Sequence, residues 1–276
     1  MKLMRLQRIS ELFAQFQLKS KEQESLLTMV DDTEIAERVY NSNAIENSTL
    51  TLPETEKILI QLEINRCVSL REVFEAKNLA LVYSYIKKTA PKQLLNIEMI
   101  LLLHKMLLTN IRDEVIGLPP EFIVERIQEI LINYNSRIDI PFIHRIAMLH
   151  VEFESIHPFI DGNGRIGRVI NNYLLTREGF PPIIVRNKEK ETYYKAIRSY
   201  DDSQNFKPMI RVVELVALES LHKRLAYLNG LEIIPLAKYA ENNQSNQSSF
   251  HSLLNSARRQ TIPAFREKGV WKIGKA

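Results

Sequence analysis

The chain of 276 residues has a single cysteine, Cys67, so no disulfide can form within it, and a reducing, cytoplasmic setting is expected. Cys67 itself reads as a small core residue. Glycine is scarce, with eight in all, while leucine, isoleucine, glutamate, lysine and arginine are plentiful, which points to helices. The most apolar run, Leu94 to Leu108, is interrupted by Glu98, His104 and Lys105 and is too short to span a bilayer, so it reads as a buried helix. The first residues, Met-Lys-Leu-Met-Arg-Leu-Gln-Arg, scatter charge among apolar positions, unlike a secretory signal. His104, His144, His150, His222 and His251 lack metal-ligand spacing, and neither a nucleophile elbow nor a Walker-type glycine loop is found. Charge of one sign is not abundant either. Of the net +4, all falls in Gly230–Ala276, which holds seven Lys/Arg against three Asp/Glu, so attraction to a polyanion belongs to the tail.

The length suits one good core with a small appended module. Arg5 to Leu27 has helical spacing of apolar residues (Leu6, Ile9, Leu12, Phe13, Phe16). Asp31-Asp32-Thr33 reads as the start of a further helix running to Asn47. Thr51-Leu-Pro-Glu54 starts another, with Pro53 in its first turn. Helical periodicity continues through Ser69–Lys87 and Leu94–Leu108, then Glu121–Tyr134. A helix from Pro141 carries the stripe Ile146, Leu149, Phe153 and Ile156 and delivers His157 at its end. The next helix is stopped at Gly179, and a last one covers Met209 to Leu228. In the tail, Ile234–Ala240 suggests a short helix and Glu241–Ser249 a polar loop. Phe250–Gln260 is a basic helix with Arg258 and Arg259, and Thr261–Ile273 alternates around Lys268-Gly269 as a hairpin should.

Three of the eight glycines fall in twelve residues, His157-Pro-Phe-Ile-Asp-Gly-Asn-Gly-Arg-Ile-Gly-Arg168. Gly162, Asn163 and Gly164 stand where a turn needs positive φ or close approach to a ligand. Arg165 and Arg168, three apart, share one side of the helix that begins there. Backbone amides at a helix start with two arginines beside them suit a polyphosphate. His157 can act as a base near neutral pH, and Asp161 offers a hard oxygen for Mg²⁺.

The string resembles, without a gap, the Fic family signature, His-Pro-Phe-x-Asp-Gly-Asn-Gly-Arg-x-x-Arg. The resemblance implies an all-α, Fic-type helical bundle, with an N-terminal helical region at 1–90 and a catalytic core at 91–229. It also implies transfer of AMP from ATP onto a Ser, Thr or Tyr hydroxyl of a protein, with release of pyrophosphate. His157 would then be the base, and Asp161 would bind Mg²⁺. Gly162, Asn163 and Gly164 would line the anion nest, with the Asn163 amide on the phosphates, and Arg165 and Arg168 would hold the β- and γ-phosphates. Asn172 and Tyr193 or Tyr194 are expected near the adenine. Ser42-Asn43-Ala44-Ile45-Glu46-Asn47 resembles the family's inhibitory motif, Ser/Thr-x-x-x-Glu-Gly/Asn, whose glutamate pairs with the second motif arginine, here Arg168. Ser42, Glu46 and Asn47 are therefore expected to hold the enzyme off in cis.

One departure concerns the docking flap, a β-hairpin commonly starting Gly-x-Tyr/Phe-Arg. Here Gly117 leads straight into Leu118-Pro119-Pro120, so no such strand pair is expected, and target recognition by strand addition loses its usual surface. The tail at 230–276 resembles an excisionase-type winged helix-turn-helix, which implies DNA as a partner, although a protein-contact module of the same fold fits equally. Dimers are common among the relatives, so a homodimer is also an expectation. Three readings stay open: a protein adenylyltransferase held off by its own helix; a nucleotide-sensing, DNA-binding regulator; and an enzyme that moves another phosphate-containing group or removes AMP. Gly164 speaks against kinase-type relatives, whose loop is altered at that position.

Overall fold

The computed structural model describes residues 2–61, 64, 66–111, 121–242 and 247–275. They form two compact units. One comprises Met1–Thr33, Pro181–Ile183 and Glu214–Ala276, and the other Glu34–Phe180 and Ile184–Val213. Among the described residues the fold is all-α apart from one three-stranded sheet. No helix among the described residues is long and apolar enough to cross a membrane.

The larger unit takes the C-terminal part of α2 (Glu24–Ile45) and then α3 (Leu52–Leu59), α4 (Leu70–Thr89), α5 (Ile97–Leu108), α6 (Glu121–Ser136), α7 (Phe142–Ile156), α8 (Asn163–Arg177) and α9 (Lys190–Ser203). The expected helix start at Asp31–Thr33 is overturned, because α2 is already running from Glu24. The Thr33 hydroxyl donates to the Val30 carbonyl at 2.8 Å, a bond made inside a helix rather than a cap. α2 ends in a Schellman motif: Asn47 N–H bonds Ala44 O, Ser48 N–H bonds Asn43 O, and Asn47 sits at φ 66. Few residues besides glycine accept that left-handed position, and asparagine is one.

α3 begins with a capping box in which Thr51 and Glu54 satisfy each other's backbone N–H. Ser69 caps α4 and Asn96 caps α5, which leaves Leu94 and Leu95 outside the helix that their apolar run suggests. Cys67 is exposed in the connection before α4, not in the core, because it belongs to no element with a buried face. The α7 stripe Ile146, Leu149, Phe153 and Ile156 is buried as periodicity requires. α8 is buried nearly all round, through Ile166, Val169, Ile170, Tyr173, Leu174 and Leu175, so it is the central helix of this unit. α9, not among the helices expected from the sequence, buries Tyr193, Ala196 and Tyr200, one face at i, i+3 and i+7 spacing. Gly117–Pro120, where no docking hairpin is expected, lies outside the described residues.

The smaller unit holds α1 (Lys2–Ser20), the end of α10 (Lys207–Leu228), β1 (Glu232–Pro235), α11 (Leu236–Asn242), α12 (Gln247–Arg258), β2 (Ala264–Glu267) and β3 (Val270–Lys275). The hairpin turns at Lys268 and Gly269, both at positive φ, as a two-residue turn between twisted strands requires. Ile234-Pro235 belongs to a strand and not to the expected helix. β1 pairs antiparallel with β3, Ile234 opposite Ile273, and both side chains enter a small core with Leu236, Ala257 and Ala264. Gln247–Ser249 likewise joins α12 rather than the polar loop. Arg266 is clamped by Glu219 through both its backbone N–H and its guanidinium, the latter at 2.7 Å.

Candidate active site

The site is the junction from α7 to α8. α7 ends at Ile156, and His157 occupies the left-handed cap position at φ 51, which turns its imidazole to solvent. The following loop is held from both sides. The Asn163 side chain accepts from Phe159 N–H at 2.9 Å and donates to Phe159 O at 2.6 Å. That side chain is thereby spent on the loop, and what Asn163 can offer a ligand is its backbone N–H. Phe159 stacks on His104 of α5, ring centroids 3.7 Å apart and 8° from parallel. His104 Nε2 donates to the Asp161 carbonyl at 2.9 Å, and burial holds this imidazole below its usual pKa, so it acts as a neutral donor. Gly162 sits at φ 86 against Leu107, where a Cβ would come within 3.1 Å of the leucine methyl.

α8 then starts without a side-chain cap, and its first internal bond is Ile166 N–H to Gly162 O. The amides ahead of that bond face outward at the positive end of a buried helix. Arg165 and Arg168 flank this start, each 3 % exposed. Arg168 Nε donates to Ser42 Oγ at 3.0 Å, and its Nη2 donates to Ser42 O and Glu46 Oε1, both at 2.8 Å. Its ring partner is Tyr193, 5.8 Å from the guanidinium to the centroid. Burial would lower the Arg168 pKa, but Tyr193, Glu46 and Glu154 more than offset it and keep the guanidinium charged.

The Glu46 carboxylate lies over the helix start. A Cβ on Gly164 would collide with Glu46 Oε1 and lie 3.1 Å from Arg168 Nη1. The carboxylate thus stands directly against the first turn of α8. Its hold is modest: the Glu46 side chain is 35 % exposed, and solvent screening leaves such a pair about 1 kcal/mol or less. Arg168, 4 % exposed at the side chain, also makes two bonds to Ser42 that do not involve Glu46.

Below Arg168 lies a buried polar bed that spacing alone does not expose. The Tyr193 hydroxyl donates to Glu154 at 3.4 Å and pairs with His150 Nε2 at 2.7 Å. Tyr194 donates to Ile45 O at the end of α2 at 3.0 Å, so both tyrosines lie beside the Glu46–Arg168 contact. Asn172 is buried one turn further along α8, donating to Arg168 O at 3.3 Å. Burial drives His150 down to about 3 and pushes the Glu154 carboxyl up to about 7, against the pull of Arg168. The folded Glu154 therefore keeps its proton across a window, from 4.5 to about 7, in which an unfolded glutamate has lost it. The folded state binds more protons there, and this group's contribution to stability falls as pH rises through the window. Glu154→Gln should remove that slope, gaining stability relative to wild type by up to roughly 3 kcal/mol between about pH 5 and about pH 8, read from urea midpoints. A wild-type-minus-variant difference that is flat in pH would show that Glu154 does not titrate in this range.

The structure gathers His157, Asp161, Gly162, Asn163, Gly164, Arg165, Arg168, Ser42 and Glu46 at one place. Asn47 enters as the helix terminator that aims Glu46, with its side-chain oxygen 3.3 Å from Lys190 Nζ. Arg71, Glu75, His104 and Glu154 are added by the fold. Among the described residues no three His, Cys, Asp or Glu form a cage for a metal. Asp161 is a carboxylate at the rim, 24 % exposed, and a single such donor fits an ion such as Mg²⁺, which keeps its waters and takes its other ligands from phosphates.

A protein-family model described as Fic/DOC family matches residues 94–175. The protein adenylyltransferase Fic of Drosophila sechellia is 27 % identical over 256 residues, covering 86 % of this chain and 52 % of the relative. The chain thus spans about half the length of the curated relatives it matches. Among solved structures, Fic-1 from C. elegans superposes with a TM-score of 0.75 at 24 % identity, covering 81 % of this chain and 72 % of that one. A Fic family protein from Desulfovibrio desulfuricans G20 covers 99 % of this chain and 95 % of its own, with a TM-score of 0.67 at 16 % identity. At these identities the structural likeness speaks for the fold.

Proposed function

We propose, from the Fic/DOC family domain that this chain carries at residues 94–175, that it is a protein adenylyltransferase held off by Glu46. The observation that carries the reading is the exposed His157 beside an uncapped helix start flanked by Arg165 and Arg168. His157 takes the proton of a protein hydroxyl, whose oxygen attacks the α-phosphorus of ATP. The bond from the α-phosphorus to the bridging oxygen breaks, and pyrophosphate leaves. The α8 amides and the two arginines hold the phosphates in line, and most of the acceleration comes from that positioning and charge stabilisation. Asp161 would hold Mg²⁺, which supplies positive charge at the α- and β-phosphates when bound. Glu46 occupies the arginine meant for the γ-phosphate, so ATP entering beside it takes an unproductive pose.

The test is label transfer from ATP to protein. Label at the α-phosphate should appear in protein and label at the γ-phosphate should not, with the signal rising when Glu46 is removed. Transfer of the γ-label would instead mark a kinase-type reaction.

A second reading concerns the tail. What favours DNA is the sequence of α11, α12 and a tight hairpin, with Arg258 and Arg259 exposed together. Duplex binding by the full chain should fall steeply with salt, and Arg258→Ala/Arg259→Ala should reduce the salt slope by about two. A full chain that ignores duplex DNA at low salt would leave the protein-contact alternative.

A further inference from the structure

Four charges close a ring at the rim of the site. Arg71 Nη2 meets Asp161 Oδ2 at 2.7 Å, and Arg71 Nε meets Glu75 Oε1 at 3.0 Å. The same Glu75 oxygen takes Arg165 Nη1 at 3.0 Å, and Arg165 Nη2 returns to Asp161 Oδ1 at 3.1 Å. Two guanidinium groups and two carboxylates balance to zero, and both Asp161 oxygens are engaged. Asp161 and Arg165 belong to the catalytic stretch, whereas Arg71 and Glu75 come from the beginning of α4.

The ring has a firm side and a loose member. The Arg165 side chain is 3 % exposed and that of Glu75 is 11 % exposed, so separating them would strand a charge away from water. The Arg71 side chain is 47 % exposed, and a pair made by so exposed an arginine is worth little. When a cation approaches Asp161, Arg71 is therefore the member that moves. Glu75 tethers it through Nε, which leaves its outer nitrogens within reach of the same mouth.

We propose that Arg71 is a positioning residue for the cation step: it neutralises Asp161 while nucleotide is absent and gives way when nucleotide and divalent cation arrive together. A cation alone meets a carboxylate whose charge is already taken by two arginines. A cation carried by a polyphosphate brings the anion that draws the Arg71 guanidinium off Asp161. Arg71 thereby enforces an order in which the ion enters with the nucleotide. The inference rests on the assignment of Asp161 as the cation's ligand.

Mn²⁺ alone is the probe, with binding to the full chain followed by loss of the free-ion EPR signal. Without nucleotide, Arg71→Ala should bind Mn²⁺ roughly fivefold tighter than wild type, the upper end for a partly exposed charge pair. Arg71→Lys should stay within about twofold, since it restores the charge. With a non-hydrolysable ATP analogue present the advantage of the alanine variant should vanish. Arg71→Gln repeats the measurement with a side chain that keeps polar contacts, should alanine unfold the start of α4. Arg71→Ala and Arg71→Gln that bind Mn²⁺ as wild type does would overturn the proposal. The Arg71→Ala/Asp161→Asn double variant separates the two claims. Tight Mn²⁺ binding retained there would overturn the Asp161 assignment itself, whereas the gain disappearing with Asp161 supports both.

Discussion

Replacing Glu46 by glycine should raise AMP transfer from ATP by roughly ten- to hundredfold, including transfer onto the protein itself. Three features of the contact lead to that direction. Arg168 Nη2 shares its donors between Ser42 O and Glu46, and the buried Nη1 has no hydrogen-bond partner among the described residues, so losing the carboxylate frees donors already pointed at the helix start. The guanidinium stays in place, because its Ser42 bonds and its Tyr193 ring contact do not involve Glu46. Glu46 lies beyond the last residue of α2 and ahead of the Asn47 terminator, a position where glycine costs little. Stability should change by about 1 kcal/mol or less, and the gain in rate is then a gain in productive ATP geometry. The measurement is incorporation of α-labelled ATP at equal protein concentration. Equal incorporation in variant and wild type would refute the inhibitory role of Glu46.

The second large effect is loss. His157→Ala in the Glu46→Gly background should lower transfer by about a hundred- to ten-thousandfold, the range of a positioned general base. ATP binding should persist, because the phosphate-facing groups belong to α8 and His157 sits before it, at the end of α7. The left-handed backbone at His157 complicates an alanine, which accepts φ 51 less readily than histidine does. Asparagine tolerates that conformation and cannot act as a base near neutral pH, so His157→Asn separates chemistry from backbone strain. Calorimetry with ATP gives the binding arm and label transfer the catalytic arm. Activity retained in both variants would remove His157 from the base role.

Much of the site could be read from the chain because its parts are local. The left-handed turns at His157 and Gly162, the clamp between Asn163 and Phe159, and the Arg165–Asp161 pair all join residues at most four apart. Capping boxes and tight turns are legible for the same reason, as at Thr51–Glu54 and Lys268-Gly269. Where signals compete, local reading fails. Asp31-Asp32-Thr33 has the residues of a helix start, yet the helix is already formed from Glu24 and the Thr33 hydroxyl bonds back within it. Ile234-Pro235 looks like the approach to a helix until β3 offers a partner strand. Cys67 was expected inside on residue type alone, and no periodic element carries it there.

The pairing of Glu46 with Arg168 spans 122 residues and was legible only through a motif resemblance. His104 reaches the loop across 57 residues and Arg71 reaches Asp161 across 90, and neither has a neighbour in sequence that marks it. Glu154 and Tyr193 come from two helices whose own periods speak only of burial.

By itself, then, the sequence determined the loop and helix start at residues 157–168 and the chemical groups they carry, because a loop and the first turn of a helix are built from contacts between near neighbours. Only the tertiary structure decided which distant charges surround that chemistry: Glu46 on one arginine, Arg71 and Glu75 on the other, His104 beneath the turn. An ion pair depends on distance in space, and that distance is set by how α2, α4 and α5 pack on α8, which no spacing along the chain encodes.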